Sequence, residues 1–151
     1  MIRMATIVVG VGALLLTPTF ASAMTEAECT TAWKTADANG DGFLTEAEGR
    51  RYFAAMRVAQ KPIVGERMTS AAFMENCKAG AFTVSVKDPA APLAGANSFT
   101  EAQAKDRAMA AGFSNVSALK KDDKGVWRGT ATEGTKTSNV AIDFKGNVVG
   151  N

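Results

Sequence analysis

Residues 37–48 read Asp37-Ala38-Asn39-Gly40-Asp41-Gly42-Phe43-Leu44-Thr45-Glu46-Ala47-Glu48, and the reading of the first half of the chain turns on this stretch. Three short oxygen-bearing side chains, Asp37, Asn39 and Asp41, alternate toward Gly42. A hard cation takes six to eight oxygens at about 2.3 to 2.6 Å, and only a tightly curled backbone aims several short side chains at one point. Gly42 stands where such a curl needs a positive φ, a conformation that a Cβ opposes. A plain turn would account for the Asp, Asn and Gly cluster alone. It places no demand on Leu44 and Glu48 at fixed offsets after the glycine, so the stretch is read as an oxygen-lined cation loop.

The flanks are helical in pattern. Thr25 and Glu28 have the spacing of a capping box, and Cys29, Ala32, Trp33 and Ala36 follow at three- and four-residue intervals. After the loop, Tyr52, Phe53 and Met56 keep the same period to about Gln60, before Pro62 stops the run.

Over all twelve positions, residues 37–48 resemble the calcium loop of the EF-hand family. The resemblance implies that Asp37, Asn39 and Asp41 supply side-chain ligands, Phe43 a backbone carbonyl, Thr45 a contact through water, and Glu48 the bidentate carboxylate that closes the shell. Leu44 would point into the core. Ca2+ is the expected ion, although other hard cations, lanthanides included, suit the same oxygen shell. Three formal ligand charges and a neutral Asn39 imply an affinity of roughly micromolar to millimolar. Gly49 departs from the family, which places a bulky apolar residue there, and the exiting helix is expected to start loosely packed.

Such loops pair, and the chain offers half a partner: Met68-Thr69-Ser70-Ala71-Ala72-Phe73, with Met68 standing where Leu44 does. Its ligand positions hold Lys61, Ile63 and Gly65, and Ala72 replaces the closing glutamate, so this half is expected to bind no divalent ion. Too few residues separate Glu48 from Lys61 for two helices, which predicts a three-helix variant.

The whole chain has 151 residues, 46% hydrophobic and 21% charged, with 17 basic and 15 acidic side chains and a formal charge of +2. That is one ordinary domain or two very small ones, and no run of like charge marks a nucleic-acid surface. There is no histidine. Its absence removes Ser-His-Asp and Cys-His catalysis and His-ligated zinc, leaving oxygen as the main metal chemistry.

Residues 1–23 read as a cleaved secretory signal: Arg3, an apolar run from Ala5 to Leu16, and Ala21-Ser22-Ala23 as the cleavage site. A retained membrane helix is the alternative, but the run is shorter than the roughly 20 residues a span needs, and Thr17-Pro18-Thr19 interrupts it. A periplasmic or secreted protein without a membrane span after cleavage is expected. In that setting Cys29 and Cys77 favour a disulfide, with two unreacted buried thiols as the alternative.

Residues 24–79 form the first expected domain and residues 80–97 a linker, whose patch from Phe82 to Val86 reads equally as an edge strand. Residues 98–151 form the second. Thr100 and Gln103 open a helix that Gly112 closes. Strand-like runs follow at 116–121, 126–132 and 137–144, with Val140, Ile142 and Phe144 expected on one face together with Leu119, Trp127 and the helix alanines. The fold class is therefore α+β: a small helical EF-hand-like unit, then a helix packed on a small antiparallel sheet.

From about Phe99 to Asn151 the pattern is similar to the PepSY-type domains of exported bacterial proteins: a helix, Gly112-Phe113-Ser114-Asn115-Val116, a charged turn, Gly125-Val126-Trp127-Arg128-Gly129-Thr130-Ala131, then Val140-Ala141-Ile142-Asp143-Phe144-Lys145-Gly146-Asn147-Val148-Val149. That likeness implies a partner-contacting or protease-modulating module. A non-enzymatic exported calcium-binding protein is the leading expectation, its partner an unidentified envelope protein, and a modulator of an exported peptidase is the alternative. No nucleophile has an evident base beside it, so no enzyme is expected.

Overall fold

The computed structural model describes residues 23–83 and 92–150. The region read as a secretory signal lies outside the described residues but for Ala23, as does most of the patch from Phe82 to Val86. The fold is α+β, with four helices and two antiparallel sheets among the described residues.

The first helix, α1 (Glu26–Ala36), begins with a complete capping box. The Glu28 amide donates to Thr25 Oγ1, and the Thr25 amide donates to Glu28 Oε2 at 2.7 Å. Next come β1 (Phe43–Thr45), α2 (Glu46–Val58), β2 (Arg67–Thr69) and α3 (Ser70–Lys78). The three helices match the expected variant, because α2 leaves the first loop and enters the second. Strands β1 and β2 pair antiparallel with Leu44 opposite Met68. Cys29 and Cys77 form a disulfide between α1 and α3, with 5.9 Å between their Cα atoms. Around it packs an aromatic group: Phe73 meets Trp33 at 5.3 Å, Tyr52 at 4.7 Å and Phe82 at 4.9 Å between ring centroids.

Helix α4 (Glu101–Ala110) also begins with a capping box, between Thr100 and Gln103. The sheet after it is a meander, β3 (Lys120–Lys121), β4 (Trp127–Glu133), β5 (Lys136–Ile142) and β6 (Val148–Gly150). Ala104 and Ala108 of α4 pack on Leu119, Val140, Ile142 and Val148. The other flank of α4 faces α2, and its Ala110 is buried in the cluster that contains Ala54, Ala55 and Met56. Ala81 and Phe82 belong to that same cluster.

Three expectations give way here. The exiting helix kinks at Gly49 but is closely packed there. That glycine is buried, and a Cβ on it would lie 3.3 Å from Leu44 Cβ and Cδ1, so Leu44 fills the space a larger residue would take. The run 116–121 is a strand only at its last two residues, because the Thr130 amide donates to the Ser117 hydroxyl (2.9 Å) where a ladder carbonyl would otherwise receive it. Phe144 leaves the strand face after Ile142. Asp143 turns inward and accepts hydrogen bonds from the Lys145 and Asn147 amides, and the bend lays the Phe144 ring over Gly95, where a Cβ would meet it at 2.5 Å.

Trp127 is half-buried, and its Nε1 donates to the Phe99 carbonyl at 3.1 Å, while Lys121 Nζ lies 5.2 Å above its ring. Both contacts fit a structural role for the indole.

Candidate metal centre

Side-chain oxygens acting on nearby amides curl the loop between α1 and β1. The Asp41 amide donates to Asn39 Oδ1 and the Phe43 amide to Asp41 Oδ1, each at 2.9 Å. The Gly42 amide donates to Asp37 Oδ2 at 3.2 Å and closes the ring. Gly42 adopts φ +82°, the left-handed region in which glycine carries no Cβ penalty. Asp37, Asn39 and Asp41 are thereby brought to one side of a single tight turn.

Asp37 has one oxygen in this ring and one outside it. Its Oδ1 is buried and has no hydrogen-bond partner among the described residues. A buried carboxylate oxygen left unsatisfied costs about 1 to 3 kcal/mol, and more when charged. A cation on the loop would remove that cost, so the donor set fits a hard ion.

Thr45 and Glu48 sit at the start of α2. Glu48 Oε2 accepts from the Thr45 amide (3.1 Å) and the Thr45 hydroxyl (2.8 Å), which makes a capping box of the two downstream positions. With Glu48 held there, no three acidic or thiol side chains among the described residues converge into a cage. Phe43 heads β1, and its ring lies 5.7 Å from the Arg67 guanidinium of the facing strand. The two strands thus anchor the downstream half of the loop, and the Asx turns shape the upstream half.

The second loop differs in its chemistry. Lys61 is exposed, and Ile63 packs against the apolar cluster of the helical unit. Gly65 keeps the left-handed backbone at φ +72°.

One contact beside the loop was not singled out from the sequence. Arg57, near the end of α2, binds Glu46 Oε1 at 3.0 Å and Asp106 Oδ1 of α4 at 2.8 Å. The Asp106 hydrogen bond, more than the charges nearby, raises Arg57 above its ordinary value against the pull of burial. Asp106 lies 49 residues from Arg57, so no local pattern announces the pair.

Comparison with protein-family models, with curated proteins and with solved structures finds no match for this chain.

Proposed function

We propose that the chain is an exported calcium-binding protein in which the loop 37–48 holds one ion. The observation that carries this reading is the buried, unpartnered Oδ1 of Asp37 within a ring of oxygen-directed turns. Asp37, Asn39 and Asp41 would hold the cation with the Phe43 carbonyl, Thr45 through water, and Glu48. The ion supplies charge neutralisation and a fixed centre for the loop; the chain's own residues do the rest. Gly42 lets the backbone curl so that the amides of Asp41, Gly42 and Phe43 donate to the ligand side chains, and Leu44 and Met68 hold the loop to the core.

The disulfide supports an oxidising compartment, where such bonds persist. It also favours a bracing role over the groove opening of calcium sensors, since α1 and α3 are covalently tied. The helix and sheet of the second half, with their PepSY-like pattern, supply the partner-contacting surface of this reading.

Calorimetric titration of metal-stripped protein with calcium chloride tests it, with Trp33 fluorescence followed in parallel. One site is expected, together with a stabilisation of about 2.7 kcal/mol at a hundredfold excess over Kd. Asp37→Ala with Glu48→Ala should abolish both. Stabilisation retained in that variant would place the ion elsewhere, and no heat with the unaltered chain would remove the reading.

A further inference from the structure

In the helical unit, α1 and α3 are joined by the Cys29–Cys77 disulfide, and the two loop halves by the β1–β2 ladder. The element left to respond to the loop is α2. It is also the element with a backbone break: Gly49 leaves the helical region, with φ −101° and ψ 26°, immediately after Glu48. On one side of the break stand Glu46 and Glu48, which belong to the loop. On the other stands the body of α2, packed on α4.

One ion pair spans the break. Glu46 Oε1 lies 3.0 Å from Arg57 Nη1, and Arg57 in turn holds Asp106 Oδ1 through Nη2 at 2.8 Å and Nε at 2.9 Å. The far link is sheltered, with Asp106 only 17% exposed, where an ion pair is screened less than at the open surface. Past Asp106, the Arg107 guanidinium stacks on Phe99 at 4.1 Å and lies against Gly146 of the turn between β5 and β6, so α4 is keyed to the sheet.

Resting on the reading of the loop as a calcium site, we infer that its occupancy is transmitted to the C-terminal unit along α2, through Glu46, Arg57 and Asp106. Recruiting Glu48 to an ion takes its carboxylate from Thr45 and turns the first turn of α2 about Gly49. Glu46 travels with that turn and shifts its hold on Arg57, which Asp106 anchors to α4. Thermodynamic reciprocity requires that contacts on α4 act back on the loop.

The test is a calcium chloride titration of the full mature chain followed by backbone amide resonances, in the unaltered protein, in Asp106→Asn and in Arg57→Met. In the unaltered protein, the amides of 42–45 and those of α4 should shift over the same range of calcium concentration. In both variants the loop amides should still shift, while the α4 amides should lose most of their response. Asp106→Asn preserves shape and lies away from the loop, so it carries the test if Arg57→Met fails to fold. An α4 response unchanged in Asp106→Asn, or silent in the unaltered protein while the loop responds, overturns the relay alone. A loop silent to calcium removes the site and the relay together.

Discussion

Leu44 and Met68 face each other across the two-strand ladder, the first fully buried and the second nearly so, as the central one of the three residue pairs that join the two loops. Each occupies the middle of a three-residue strand and is the one buried residue of its strand, so this pair carries the apolar contact of the ladder. Leu44→Ala should cost about 2 to 5 kcal/mol, as core truncations do. Urea unfolding measures it. A cost under about 1 kcal/mol would mean that Met68 and Phe53 collapse into the space, as small losses at adaptable sites do.

The disulfide closes a span of 48 residues between α1 and α3. Cross-links of that length contribute about 2 to 4 kcal/mol. Replacing both cysteines by serine should lower stability by that amount and remove the sensitivity of the melting temperature to reducing agent. A melting temperature indifferent to reductant in the unaltered protein would contradict this account.

Helices α2, α3 and α4 end alike, with paired backward hydrogen bonds such as Gln60 N to Arg57 O and Lys61 N to Met56 O. The left-handed residue that follows is Gly80 after α3 and Gly112 after α4, but Gln60, at φ +53°, after α2. Gln60→Gly should therefore stabilise the protein by about 0.5 to 1 kcal/mol, the left-handed strain relieved less the entropy that glycine costs. Denaturant midpoints read the difference, and a destabilised variant would show that the Gln60 side chain matters more than its backbone.

Asp143 is fully buried and accepts four hydrogen bonds, from the Leu93, Lys145 and Asn147 amides and from Asn147 Nδ2. Burial pushes its carboxyl up, but the Leu93 and Asn147 donors, with Lys145, outweigh burial and hold it below the ordinary 3.8. A depressed folded value contributes stability above the unfolded value, and that contribution is lost as pH falls through the folded one. Asp143→Ala should cost about 3 kcal/mol at neutral pH by orphaning buried donors. Its deficit relative to the unaltered chain should shrink as pH drops below 3.8. Unfolding curves at pH 7 and pH 3 decide it, and a deficit equal at both would mean that the carboxylate charge contributes nothing.

What could be read from the chain was what neighbouring residues determine. The turns of the loop and the capping boxes that open α1 and α4 rest on side chains within a few positions of the amides they serve, Thr25 with Glu28 and Thr100 with Gln103. The facing of Leu44 and Met68 was legible because the second half-loop repeats the first in its apolar positions. Asp143 was hidden, since one of its donors, Leu93, comes from 50 residues away and the acid reads as an ordinary strand-end residue. Gly49 misled in the opposite sense: its missing side chain suggested empty space, and Leu44 fills it. Arg57 was not legible either, because its partner Asp106 comes from α4, 49 residues away.

The short stretch ahead of α4 sets where the chain can be divided. The Leu93 amide reaches Asp143, the Gly95 amide reaches the Lys124 carbonyl, and Lys121 Nζ reaches the Asn97 carbonyl. A fragment starting at Phe99 would lose these three hydrogen bonds and would uncover the flank of α4 that carries Ala110. A surgeon's cut for an autonomous C-terminal piece thus belongs upstream of Leu93, with a soluble replacement at Met109 and Ala110 where α2 is taken away.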